Sequence, residues 1–216
     1  MPDQEPRVVS VNVGRVREVE WRGHLVRTGI WKEPVGPAQV RVEGVNLHGD
    51  DQADRTVHGG PDKAVYAYAT EDYAHWTEVE GVAASPGLFG ENLTIAGLDP
   101  QGAIVGERWR IGTVLLEVSQ PRLPCYKLGI KMGDQTFLRR FLGVRRLGAY
   151  LRIIEPGDLR AGDVIGVVER PRHGMTLTRL VDALQDPSLA PSVLAVPQLP
   201  ESWRRMLRDR VARGSA

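Results

Sequence analysis

Val118-Ser119-Gln120-Pro121-Arg122-Leu123-Pro124-Cys125-Tyr126-Lys127-Leu128 decides how this chain is read, and it holds the only cysteine of 216 residues. Val114, Leu116 and Val118 alternate with Leu115, Glu117 and Ser119, which predicts a strand with one buried face. Pro121 and Pro124 cannot donate to a sheet ladder, so the strand ends there and the chain leaves with part of its backbone fixed. Cys125 falls on that stiff exit between Arg122 and Lys127. Cationic neighbours favour thiolate over thiol, and thiolate is the form that attacks or ligates metal. A free cysteine is also a small hydrophobe and commonly buried, so a purely structural Cys125 stands beside the reactive one.

Composition narrows the classes. Hydrophobic residues make up 42% and charged residues 25%, the proportions of a soluble globular protein with a sizeable core. The net charge of +1 offers no footing for nucleic acid or a membrane surface. One cysteine excludes an internal disulfide, a four-cysteine zinc site and a protein-held iron–sulfur cluster in this chain. Residues 1–7 have neither a basic start nor an apolar run, and no stretch approaches a membrane span, so a cytoplasmic protein without a signal peptide is expected. Twenty-four glycines and 15 prolines favour short strands and many turns over long helices.

Outward from the cysteine, the strand signals recur. Val9, Val11 and Val13 alternate with Val8, Ser10 and Asn12. Val16–Trp21 and Leu25–Ile30 predict a hairpin about Arg22-Gly23, and Val40 and Val42 a further short strand. Ala64–Ala69 is expected as a buried strand running into a helix with Thr70 as cap and Tyr73, Trp76 and Thr77 on one face. Gly106-Glu107 and Gly162-Asp163 each precede a strand and predict two similar corners of a closed or nearly closed sheet. Asp134 can cap a helix that turns Phe137, Leu138, Phe141 and Leu142 inward. Composition changes at Arg170-Pro171. Beyond it Leu177, Leu180, Val181 and Leu184, then Val193 and Leu194, then Trp203, Met206, Leu207 and Val211 mark three helices, with the arginines between Arg204 and Arg213 as a solvated face.

Residues 46–63 form a polar, glycine-dotted loop too long for a turn, and such loops tend to be functional. Gly59-Gly60 permits close approach of backbone N–H groups and Lys63 adds a cation, a pairing suited to a phosphate; a plain solvated loop is the alternative. His48 and His58 lack a neighbouring cysteine or a second histidine on a shared face, which argues against a metal site of their own. Asn92 can hold a ligand or close a local turn, and Tyr150 can be core or point its hydroxyl into a pocket.

Four segments in order carry a family resemblance: His58-Gly59-Gly60-Pro61-Asp62-Lys63-Ala64-Val65, Phe89-Gly90-Glu91-Asn92-Leu93, Ser119-Gln120-Pro121-Arg122-x-Pro124-Cys125-Tyr126-Lys127-Leu128, and Gly148-x-Tyr150-x-Arg152. Together they resemble the MOSC domain, the C-terminal domain of molybdenum cofactor sulfurase, in its stand-alone bacterial branch with a three-helix extension. The resemblance implies a mainly β fold: a β-barrel-type domain over residues 1–170 with a few short helices, and a three-helix appendage over 171–216. It implies binding of the molybdenum cofactor, molybdopterin, with Cys125 as catalytic residue and protein ligand to molybdenum. His58, Gly59, Gly60, Lys63, Asn92, Arg122, Lys127 and Tyr150 are the expected cofactor contacts. Relatives, the mitochondrial amidoxime-reducing proteins among them, reduce hydroxylamines, amidoximes and N-hydroxylated bases. The implied activity is therefore an oxidoreductase acting on a small N-hydroxylated substrate with electrons from a separate reductase, without nucleic acid or membrane. A sulfur carrier using a Cys125 persulfide, and a cofactor-storage module, are the competing readings. Nothing in the chain sets the oligomeric state.

Overall fold

Valine and other β-branched residues, cut at short intervals by glycine turns, fold into thirteen short strands and six α-helices among the described residues, 5–53 and 59–214 of a computed structural model. The strands are β1 (Arg7–Val13), β2 (Arg17–Trp21), β3 (His24–Thr28), β4 (Glu33–Pro34), β5 (Val40–Glu43), β6 (Asn46–Leu47), β7 (Val65–Ala69), β8 (Leu93–Ala96), β9 (Arg108–Ile111), β10 (Val114–Pro121), β11 (Ala149–Glu155), β12 (Gly157–Leu159) and β13 (Ile165–Glu169). The helices are α1 (Thr70–Glu78), α2 (Tyr126–Lys131), α3 (Phe137–Val144), α4 (Leu177–Asp182), α5 (Ala190–Leu194) and α6 (Glu201–Gly214).

Eight strands form one sheet in the order β13-β9-β10-β11-β7-β8-β1-β4. Every pairing is antiparallel except β7–β8, which α1 joins as a crossover. The sheet curls until its ends meet. Arg7 bridges Val164, and Val8 N donates to Asp163 O (2.9 Å) while Ile165 N donates to Pro6 O (2.8 Å). The seam is one bridge and not a full ladder, so the barrel is nearly closed. Gly106 and Gly162, both at positive φ, form the two expected corners, and the strands that follow them, β9 and β13, pair with each other. The β2–β3 hairpin turns at Arg22 (φ 51) and Gly23 (φ 78), the two positive values of a type I′ turn.

Four local expectations are overturned, one of them the cap of α3, which is Thr136 and not Asp134. Val9, Val11 and Val13 do not share the buried face of β1. A register shift between Val8 and Ser10 buries Val8 and Val11 and leaves Val9 exposed. In β10 both faces are buried, because α4 packs against it and Arg108 and Arg152 cover Glu117. Thr70 is not the cap of α1: that position is Ala69, and Thr70 Oγ1 donates to Glu71 instead (3.1 Å).

Two apolar clusters fill the molecule. One lies in the barrel and extends without interruption from Trp109 and Leu116 to Leu177, Leu180, Val193, Trp203 and Leu207 of the last three helices. The other is aromatic and includes all three phenylalanines with Tyr66, Tyr68, Tyr73 and Trp76. Val211 stays exposed, and the α6 arginines do more than face solvent: Arg204 donates to Leu194 O (2.6 Å) and Arg210 to Leu184 O.

Candidate functional site

Strand β10 delivers Arg122 and Cys125 to the end of the barrel between the second motif and the turn before β7. Cys125 is half-buried and extended (φ −122, ψ 166) as the residue that precedes α2, and its carbonyl accepts from Leu128 N (2.9 Å). Sequence periodicity missed α2, because six residues after a proline, with Gly129 inside, are too few to show a helical stripe.

Cys125 lines a cleft whose walls bound about 670 Å³ of space, the open solvent at its mouth included. Lys63, Asn92, Arg122, Lys127 and Tyr150 line the same cleft, so six of the nine expected site residues converge there. Gly59 and Gly60 are not among the described residues of its wall. Gly60, at φ 86, instead leads the 3-10 turn Pro61–Lys63, which carries Lys63 to the cleft. His58 lies outside the described residues. His48 is exposed, and no cluster of three or more His, Cys, Asp or Glu that could hold a metal occurs among the described residues.

The cations differ in setting. Arg122 is buried against the rings of Tyr66 (5.5 Å) and Phe141 (5.6 Å). Its Nη1 is buried with no hydrogen-bond partner among the described residues. Burial opposes its charge, but the fields of Tyr66, Tyr150, Cys125 and Glu91 prevail and its pKa is raised. Burial lowers the pKa of Lys63, against the opposing pull of Asp62 and Cys125. Tyr150 is held above the usual phenol range by burial, so it keeps its proton and can donate.

Asn92 is satisfied by protein. Its Oδ1 accepts from Tyr66 N (3.1 Å), and its Nδ2 donates to Asp50 Oδ2 (2.9 Å) and Asn12 O (3.4 Å). Lys32, which sequence reasoning missed, is an ion partner of Asp50 on the same wall. Its signal was absent because nothing local to Trp31-Lys32-Glu33 reports a buried lysine. Glu91 explains the second motif. Wholly buried, it accepts from Gly87 N (2.6 Å), Phe89 N (3.0 Å) and Thr94 Oγ1 (3.1 Å), and bonds Tyr73 Oη. The turn it ties has Gly87 and Gly90 because a Cβ there would meet Lys32 O at 2.3 Å and Ile30 Cγ1 at 2.9 Å. Lys131 Nζ clamps both sides of this passage, donating to Ile30 O (3.1 Å) and Gly87 O (2.6 Å).

A single thiol lines this cleft with Lys32, Lys63, Arg122 and Lys127, so the wall can offer a ligand a soft donor and positive charge together. Residues 54–166 match the MOSC domain profile, more than half of the chain. The chain is 34% identical to YflK of Bacillus subtilis (strain 168) over 209 residues, 94% of both proteins. It is 31% identical over 175 residues to a protein named "Reductase" from Gibberella moniliformis, covering 79% of this chain and 31% of that protein. Among solved structures it resembles YiiM from Geobacillus stearothermophilus, with TM-score 0.78 and 28% identity over 95% of this chain and 99% of that one. The chain belongs to the MOSC domain family. No helix of the described residues is long and apolar enough to cross a membrane.

Proposed function

We propose that the cleft binds the pyranopterin molybdenum cofactor and that the protein reduces small N-hydroxylated compounds. One observation carries this reading: the only cysteine lines the same cleft as Lys63, Lys127 and a buried Arg122 whose Nη1 has no partner among the described residues. These residues fit the group. A lone thiolate suffices as protein ligand when the cofactor brings its own dithiolene sulfurs. Lys63 and Arg122 supply the countercharge for its phosphate, and an unsatisfied guanidinium N–H in a buried site calls for an acceptor.

When bound, the cofactor supplies two-electron redox chemistry at molybdenum. Cys125 Sγ is the ligand to the metal in this reading, and Tyr150 keeps its proton to donate a hydrogen bond in the cleft. Reduction of N–OH to N–H consumes two electrons and two protons and releases water. In this reading the electrons come from a separate reductase. The family and the reductase-named relative support an oxidoreductase over a sulfur carrier. The test is protein made in a cofactor-competent host, assayed for molybdenum, pterin and reduction of a hydroxylamine with a chemical electron donor. Pterin and molybdenum with turnover support the reading; protein free of both, without turnover, refutes it.

A further inference from the structure

Arg152, on β11, is outside the cleft wall yet tied to it. Its guanidinium reaches three elements at once: Nε donates to Asp62 Oδ1 (2.6 Å), Nη1 to Glu117 Oε1 (2.8 Å) and Nη2 to Gln198 O (2.9 Å). Asp62 is in the 3-10 turn beside Lys63, Glu117 in β10 upstream of Arg122, and Gln198 in the segment between α5 and α6. Asp62 is gripped at both ends, because Ser119 Oγ lies 2.5 Å from its carbonyl. We propose that Arg152 is a positioning residue that fixes the Pro61–Lys63 turn, and so Lys63, against β10, with the C-terminal helical segment as its third anchor.

Geometry favours this role. A planar guanidinium can hold three acceptors in a fixed arrangement, which a lysine ammonium on a flexible stem does not reproduce. The turn is a minimal one. It is only three residues long, begins at Gly60, and has no side-chain cap. Residues 171–214 are then part of how the cleft is held in shape, through one carbonyl, as well as part of the core.

The proposal rests on the cofactor reading for its consequence but not for its geometry, and the experiment keeps the two apart. Pterin affinity is measured at limiting cofactor for wild type, Arg152→Gln, Lys63→Ala and the double variant. Supporting groups around ligand sites typically contribute tenfold or more, so Arg152→Gln should weaken pterin about tenfold. In the Lys63→Ala background the same change should have little further effect. An equal loss in both backgrounds would overturn the proposal. In cofactor-free protein, Lys63 acylation by an amine-reactive ester, mapped by peptide mass spectrometry, should change several-fold in Arg152→Gln while Lys32 and Lys131 do not. An unchanged Lys63 rate also overturns it. Arg152→Lys, which keeps the charge, should shift the same two readouts in the same direction if Arg152→Gln fails to fold. If wild type takes up no pterin, the cofactor reading fails and Lys63 labelling alone judges the brace.

Discussion

Ser119 Oγ lies 2.5 Å from Asp62 O and 2.9 Å from Tyr150 O, so one hydroxyl proton, shared between two carbonyls, ties the turn that carries Lys63 to β10, which leads to Arg122, and to β11, which carries Tyr150. The motif around Cys125 and the glycine motif, 57 residues apart, meet here. Removing the hydroxyl leaves a carbonyl without its partner inside the fold. Ser119→Ala should cost about 1–2 kcal/mol of stability, the usual range for a lost buried hydrogen bond. Urea unfolding checks it, and an unchanged midpoint would mean that the turn is held by other contacts.

Glu91 should be far more sensitive than its place beside the cleft implies. It satisfies two backbone N–H groups and two hydroxyls from full burial, and burial raises its pKa. In Glu91→Gln an NH2 group must replace one acceptor and face donors. The expected loss is about 2–4 kcal/mol, from buried donors left unpaired. Thermal unfolding of the cofactor-free protein reads this without interference from binding.

The last three helices share the barrel's apolar cluster, so they should behave as core. Trp203 is 2% exposed, and Trp203→Ala should destabilise by about 3–5 kcal/mol, as for other buried aromatics. A variant that loses binding with its melting temperature unchanged would contradict this.

Much of this architecture is legible in residue order. The hairpin at Arg22-Gly23, the corners at Gly106 and Gly162 and the aromatic stripe of α1 follow from local chemistry. What local chemistry hides is pairing between distant segments. The Val8/Ser10 register shift depends on β8, and the double burial of β10 depends on α4 and on Arg152. The site divides in the same way. Cys125, Arg122 and Lys127 announce themselves by clustering in sequence, while Lys32 and Arg152 acquire meaning only from Asp50 and Asp62 across the fold. Asn92 is recognisable in its motif, but its three protein partners are not.

Binding should weaken at alkaline pH. Burial lowers the pKa of Lys63 from 10.5, so its ammonium is fully present only on the acid side of that depressed value. Countercharge for a phosphate is therefore lost as pH rises through a window below the ordinary lysine range. Pterin affinity should fall between neutral pH and that range in wild type, and the fall should be smaller in Lys63→Ala. A parallel decline in both proteins would assign the effect to another group.

The most direct measurement is on Cys125→Ser. Serine keeps nearly the same volume but replaces a soft thiolate with a hard, weakly acidic hydroxyl that molybdenum binds less well. Cys125 is only half-buried at the cleft, so the melting temperature should change little. Molybdenum content, pterin content, melting temperature and hydroxylamine reduction are measured on one sample from a cofactor-competent host. Turnover should collapse and molybdenum should be lost, with part of the pterin retained through Lys63 and Arg122. Wild-type turnover with molybdenum unchanged would contradict it and leave Cys125 as a packing residue.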